Sequence, residues 1–159
     1  MATEMTQEQI QELDELFEKA EKAAAIIATY DQEKVDRLCQ AVAWAVSNKK
    51  TFLKLVDMGI EESRLGDPVS RQGKRFKIRG VLRDALRAKS VGVIEEIPEK
   101  GIVKYAKPVG IIASLVPTTN PDLTPGGQAV YGIKARDVII FSPHPRSKKT
   151  TFETVRSMR

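Results

Sequence analysis

Apolar residues recur at helical spacing through the first half of the chain and then give way to short runs of strand type. Ile10, Leu13, Leu16, Phe17, Ala20, Ala24 and Ile27 mark one face of an amphipathic helix ending near Tyr30, and Thr6-x-x-Gln9 ahead of it reads as a capping box. Asp31 can cap a second helix, in which Val35, Leu38, Val42 and Ala45 share a face with Trp44 and Val46 alongside. A third helix is predicted from Phe52 to Arg64, closing at Gly66, with Asp67 and Pro68 opening a loop. The segment from Gln72 to Ala88 reads as a fourth, strongly basic helix.

From Val91 the pattern turns to β. Val91 to Ile97, the turn signal Pro98-Glu99-Lys100-Gly101, and Ile102 to Ala106 predict a hairpin with half-polar faces, suited to an arm or an interface. Val109 to Val116 is apolar without alternation, as in a strand covered on both faces, and Val138 to Phe141 is a shorter run of the same kind. Between them Thr124-Pro125 starts a helix that ends near Arg136-Asp137. The unit is a β-helix-β crossover, expected to be right-handed and parallel. Two such strands survive only inside a larger layered structure, so the chain reads as the N-terminal part of a longer α/β protein. Ser147, Phe152, Val155 and Met158 carry a last helical pattern.

A chain of 159 residues with 42% hydrophobic content can bury a core, which argues against disorder. The net charge of +5 permits a polyanionic partner without requiring one. Much of the surplus falls on Arg71, Lys74, Arg75, Lys77, Arg79, Arg83, Arg87 and Lys89. Phe76 is the only aromatic among them, so a solvated helix face is the expectation rather than a nucleic-acid footprint. One cysteine, Cys39, excludes an internal disulfide, and with a single histidine it leaves no Cys/His metal set. Cys39 lies beside the second helix's stripe, and Arg37 is its only basic neighbour in sequence, so a buried inert thiol is expected. The acidic N-terminus lacks the pattern of a signal peptide, and no apolar run approaches ~18 residues. A soluble protein of the reducing cytoplasm, without membrane or nucleic-acid partners, is expected.

Candidate chemistry sits in the two loops that leave the apolar runs, because ligands in open α/β sheets collect outside the carboxyl ends of strands. Asn120, between Thr119 and Pro121, reads either as a turn asparagine before proline or as an amide donor for a developing oxyanion. His144, bracketed by Pro143 and Pro145, reads either as a structural turn residue or as a ligand-facing donor. Gly126-Gly127 lacks the spacing of a dinucleotide fingerprint and reads as a close-packing pair.

The pattern KPVGIIASLVPTTNP, a helix ending in IKARD, and then VIIFSPHPRSKK resembles the aldehyde dehydrogenase superfamily, specifically its CoA-acylating branch. The likeness is strong over 101–149, has a compatible helical lead-in, and covers only the opening part of a family member. It implies N-terminal helices and a hairpin arm leading into the first strand-helix-strand unit of a Rossmann-like sheet. The division would be a helical segment over 1–90, an oligomerisation hairpin over 91–106, and the start of the cofactor-binding domain over 107–159. By the same resemblance Asn120 helps hold the thiohemiacetal oxyanion, Pro117, Thr118 and Thr119 line the nicotinamide cofactor, and the loop Ser142, Pro143 and His144 also faces it. Non-acylating members carry Trp before the asparagine and a Lys-Pro-Ser-Glu-like loop after the second strand; Thr119 and Ser142-Pro143-His144-Pro145 stand here instead. Serine in place of that lysine removes a cation for a ribose phosphate, favouring NAD over NADP. The catalytic cysteine of the family lies well downstream, and Cys39 does not occupy its position. Asp122 departs from the pattern, since an acid near the oxyanion loop is unfavourable beside an anionic substrate unless its side chain turns outward.

The implied activity is conversion of a small aldehyde, CoA and NAD to acyl-CoA and NADH by a homo-oligomer, in the cytoplasm or inside a protein-shelled compartment. The 159 residues alone are expected to be inactive. The competing readings are a self-associating, non-catalytic interaction piece and a basic phosphate or nucleic-acid binder through 71–89.

Overall fold

The computed structural model describes residues 4–159; Met1, Ala2 and Thr3, where the acidic N-terminal stretch begins, lie outside the described residues. Helix α1 (Gln7–Ile27) opens on the expected capping box, with Thr6 Oγ1 accepting from the Gln9 N–H at 3.3 Å and Gln9 Oε1 accepting from the Thr6 N–H at 3.0 Å. Asp31 caps α2 (Gln32–Ser47) by accepting from the Lys34 N–H at 2.8 Å. The third helix, α3 (Lys49–Ser63), starts earlier than its apolar pattern indicates because Asn48 serves two helices. Its side-chain carbonyl accepts from the Thr51 N–H at 3.0 Å, and its amide donates to the last carbonyls of α2, at Trp44 and Ala45.

The basic segment is two helices rather than one: α4 (Pro68–Gly73) and α5 (Arg75–Arg87). Asp67 and Pro68, read as a loop, are a helix start. Asp67 accepts from the Ser70 N–H at 2.8 Å, and Pro68 takes the first turn, where a missing N–H costs nothing.

Strands β1 (Gly92–Ile97) and β2 (Ile102–Ala106) pair antiparallel across a short 3-10 turn at Pro98–Lys100. Strand β3 (Ile111–Val116), helix α6 (Thr124–Ala135) and strand β4 (Val138–Pro143) form the crossover, and the strands run parallel with Ile111 opposite Val138 and Val116 opposite Pro143. Helix α7 (Lys148–Ser157) follows. Within this chain β3 is not covered on both faces, contrary to its apolar pattern. Ser114 and Val116 are buried, whereas Leu115, which points to the opposite face, is 80% exposed.

The core joins Val35, Cys39, Val42 and Val46 of α2, Phe52 and Val56 of α3, and Ile78 and Ala85 of α5 to Ala129 and Val130 of α6. Each fully buried large apolar side chain contributes ~1.5–3 kcal/mol. Trp44, on the same helix, stays exposed. Gly126 permits the close approach of α6, since a Cβ there would lie 2.8 Å from Val46 Cγ2 and 3.2 Å from Ile78 Cδ1; Gly127 faces open space.

The Arg136-Asp137 pair at the end of α6 ties the crossover to its surroundings. Arg136 takes the left-handed conformation (φ 64°) and donates to the Ala28 carbonyl at 2.9 Å, which holds the end of α1. Buried Asp137 accepts the Val109 and Gly110 N–H groups at 2.7 and 2.8 Å, fixing the chain as it enters β3.

Candidate functional site

The paired ends of β3 and β4 bring the two candidate loops to one edge. The His144 N–H donates to the Val116 carbonyl at 3.1 Å, so Pro117 to Asn120 and His144 to Pro145 leave the sheet side by side at its carboxyl end, while Ser142 and Pro143, expected in the loop, are the last residues of β4, opposite Leu115 and Val116. This is the rim on which open α/β sheets collect ligands.

The backbone carbonyl of Asn120 accepts from the Thr124 N–H at 3.0 Å and the Leu123 N–H at 3.3 Å, making the turn into α6. Its side chain takes no part in that turn. Lys74 Nζ donates to Asn120 Oδ1 at 2.7 Å, and Asn120 Nδ2 donates weakly to Thr119 Oγ1 at 3.3 Å. One Nδ2 hydrogen is therefore left for another acceptor. Lys74 comes from the junction of α4 and α5, and nothing in the local pattern around residue 120 points to it.

Asp122 turns inward, resolving its conflict with an anionic ligand differently from the outward turn expected of it. It is fully buried and ion-paired with Arg71, itself 1% exposed, which also donates to the Leu65 carbonyl at 3.0 Å. Arg71 and Lys74 are thus removed from the solvated basic face to which the sequence assigned them. Gly66 admits the guanidinium stem: it sits at φ +98°, and a Cβ there would fall 2.6 Å from Arg71 Cδ.

His144 Nδ1 accepts from the Arg146 N–H at 3.1 Å and caps the 3-10 turn Pro145–Ser147. That bond uses the Nδ1 lone pair, so the ring contributes to the turn through Nδ1. Thr118 Oγ1 is buried and finds no protein hydrogen-bond partner among the described residues. Pro117, Thr119 and Ser142 are exposed on the same rim.

The loop after β4 is pinned to α3. Glu62 accepts the Lys149 and Thr150 N–H groups at 2.9 and 2.8 Å and the Thr150 hydroxyl at 2.8 Å, satisfying free donors at the start of α7. Burial by itself would raise the Glu62 pKa, but these hydrogen bonds and the Lys149 charge outweigh it and hold the carboxyl below its usual 4.5.

Cys39 is buried against α6, its thiol facing the Val130 carbonyl at 3.4 Å. Burial pushes the thiol up to about 11, helped by the Asp36 charge and opposed by Lys134. The cation nearest in effect is thus Lys134, from across the core, rather than Arg37. Lys134 is itself buried and ion-paired with Asp36, which also accepts from Gln32 Nε2 at 2.9 Å. Among the described residues no group of three or more His, Cys, Asp or Glu side chains could hold a metal ion, and no helix is long and apolar enough to cross a membrane.

No protein-family model matches the chain. It is 44% identical over 148 residues to an acylating sulfoacetaldehyde dehydrogenase of Bilophila wadsworthia, a match covering 92% of this chain and 32% of that protein. It is 37% identical over 148 residues to an acetylating succinate-semialdehyde dehydrogenase of Clostridium kluyveri, with the same coverage. The crystal structure of an acetylating aldehyde dehydrogenase from Geobacillus thermoglucosidasius superposes with a TM-score of 0.88 at 33% identity, over 94% of this chain and 33% of that one. The chain is similar in sequence and fold to the N-terminal part of acylating aldehyde dehydrogenases. It spans about a third of the length of the relatives it matches.

Proposed function

We propose that the intact protein is an NAD-dependent, CoA-acylating aldehyde dehydrogenase, in which Asn120 stabilises the oxyanion formed when a thiolate adds to the aldehyde. The observation that carries this reading is the Asn120 side chain at the carboxyl end of β3, with its oxygen engaged by Lys74 and its amide nitrogen on the opposite side. A donor aimed at a developing alkoxide is worth ~3 kcal/mol, and it acts only once the negative charge appears. The thiolate comes from outside these residues, because Cys39 is buried and protonated at neutral pH.

Pro117, Thr118, Thr119, Ser142, Pro143 and His144 would hold the nicotinamide cofactor, which when bound supplies the hydride acceptor. The fit rests on the buried Thr118 hydroxyl, a polar atom without a protein partner on the rim. Ser142 offers a hydroxyl and no cation, which favours NAD over its 2′-phosphorylated form. CoA then takes the acyl group from the cysteine thioester. Availability of both NAD and CoA places the reaction in the cytoplasm or in a compartment supplied from it. The hairpin β1–β2, with Ile102, Val103 and Tyr105 exposed, is the proposed self-association arm of a homo-oligomer.

The experiment is NADH formation by the intact protein with sulfoacetaldehyde, succinate semialdehyde and acetaldehyde, each with and without CoA. The reading expects turnover that requires both an aldehyde and CoA, faster with NAD than with NADP. Absence of CoA-dependent turnover with every aldehyde would count against it.

A further inference from the structure

The Asn120 amide is described above as a donor, but an amide can face either way. Its oxygen and nitrogen are nearly equal in size, and a flipped Asn120 would present oxygen to the oxyanion and repel it. What decides the orientation is the group on the other side. Lys74 Nζ carries three hydrogens and no lone pair, so it can bond only the amide oxygen, and it does so at 2.7 Å. Thr119 Oγ1, at 3.3 Å from Nδ2, is too weak and too adaptable to set the direction, since a hydroxyl can donate or accept.

Lys74 is itself fixed. It stands between α4 and α5, its N–H donates to the Arg71 carbonyl at 3.0 Å, and Arg71 is locked to Asp122. Two cations one helical turn apart therefore hold two residues of a single loop, Asp122 for the backbone position and Asn120 for the amide direction. A charge-assisted bond to the oxygen also draws electron density from the amide and makes its N–H a better donor.

We propose that Lys74 is a positioning residue for this reaction, fixing and polarising the Asn120 amide so that its nitrogen faces the substrate oxyanion. This rests on the aldehyde dehydrogenase reading above and adds a residue to it. Lys74 touches neither substrate nor cofactor in the proposed role. Its loss should therefore fall on the step in which charge develops and leave ground-state binding nearly unchanged.

The test is steady-state kinetics of the intact protein with aldehyde, CoA and NAD for wild type, K74M, K74R, N120A and the K74M/N120A double variant, with a melting curve for each. Losing an oxyanion donor outright lowers kcat ~100-fold or more, so misdirecting it should lower kcat by roughly 10-fold or more in K74M, with KM for aldehyde and NAD changed less than about threefold. K74R, which keeps a cationic donor, should recover most of kcat. In the N120A background, K74M should lower kcat by no more than about twofold, because the amide it positions is gone. An unchanged kcat in K74M, or an equal loss with and without Asn120, overturns the proposal. If K74M does not fold, a K74R variant as slow as N120A overturns it equally. Wild-type protein without CoA-dependent turnover overturns the enzymatic reading and this proposal together, whereas an active wild type with an unaffected K74M overturns this proposal alone.

Discussion

Arg71 and Asp122, 51 residues apart in the chain, form an ion pair with both side chains almost wholly out of solvent. The pair fastens the α4–α5 elbow to the loop between β3 and α6. Arg71 Nε and Asp122 Oδ2 have no protein partners among the described residues, so the pair is not fully satisfied and contributes little net stability as a pair. Breaking it is another matter. R71M or D122L leaves one buried charge alone and should lower the unfolding free energy by ~3–5 kcal/mol, whereas the apolar double variant R71M/D122L should lose much less than the sum of the single changes. Urea unfolding of the four proteins gives the answer, and additive losses would contradict the coupling.

Acid should loosen the attachment of α7 through Glu62. The folded carboxyl titrates below 4.5 and the unfolded one near 4.5, so the unfolded chain binds the proton more readily. The stabilisation is complete above about 4.5 and is lost as pH falls through the lower, folded value. E62Q removes the titration, and its stability should decline less steeply than that of wild type below pH 4.5. Parallel thermal melts from pH 6 to pH 3 would show the difference as converging curves, and curves that stay parallel would be inconsistent with the assignment.

How much of this was legible in the sequence depends on the range over which each residue's partner lies. The Thr6–Gln9 box, the Asp31 cap and the hairpin turn all act within three or four residues, and each forms as its pattern indicates. The rim itself was legible too, because an apolar run followed by a Pro-Asn loop marks a strand end wherever the strand pairs. The orientation of the Asn120 side chain was not, since it is decided by a lysine 46 positions earlier. For the same reason Arg71 read as one more surface cation. Periodicity reports which face a residue occupies, while burial of a charge depends on a distant acid such as Asp122 reaching it. The exposed Leu115 shows the converse limit: an apolar run reports the strand's character but not what covers it.

Cys39 should be chemically silent in the folded protein. Its thiol is fully buried and its pKa is pushed up to about 11, so thiolate at neutral pH is scarce and unreachable. Thiol reagents should label it only in denaturant, as read at the Cys39 peptide by mapping. C39A should cost ~1 kcal/mol for a small lost volume and leave turnover intact. Rapid labelling of Cys39 in native buffer would contradict the buried assignment.

The tightest contact in the crossover predicts a compensating pair. A Cβ on Gly132 would lie 2.5 Å from Ile139 Cδ1 and 2.8 Å from its Cγ1, so α6 rests directly on β4 at this point. G132A must displace the isoleucine or push the helix away, at a cost of ~1–3 kcal/mol, even though alanine is the better helix former by ~1 kcal/mol. Ile139→Val removes the Cδ1 methyl that stands in the way, and alone it should cost ~0.5–1.5 kcal/mol. Together the two changes should be less damaging than their sum, because the new methyl occupies part of the volume the old one vacates. Because the Asn120 carbonyl accepts the Thr124 N–H at the start of α6, the proposed enzymatic reading expects G132A also to slow turnover of the intact protein, and the double variant to recover part of that loss. Denaturant midpoints and kcat measured on the same four proteins would test both statements, and a G132A variant as stable as wild type would show that α6 and β4 are less closely packed.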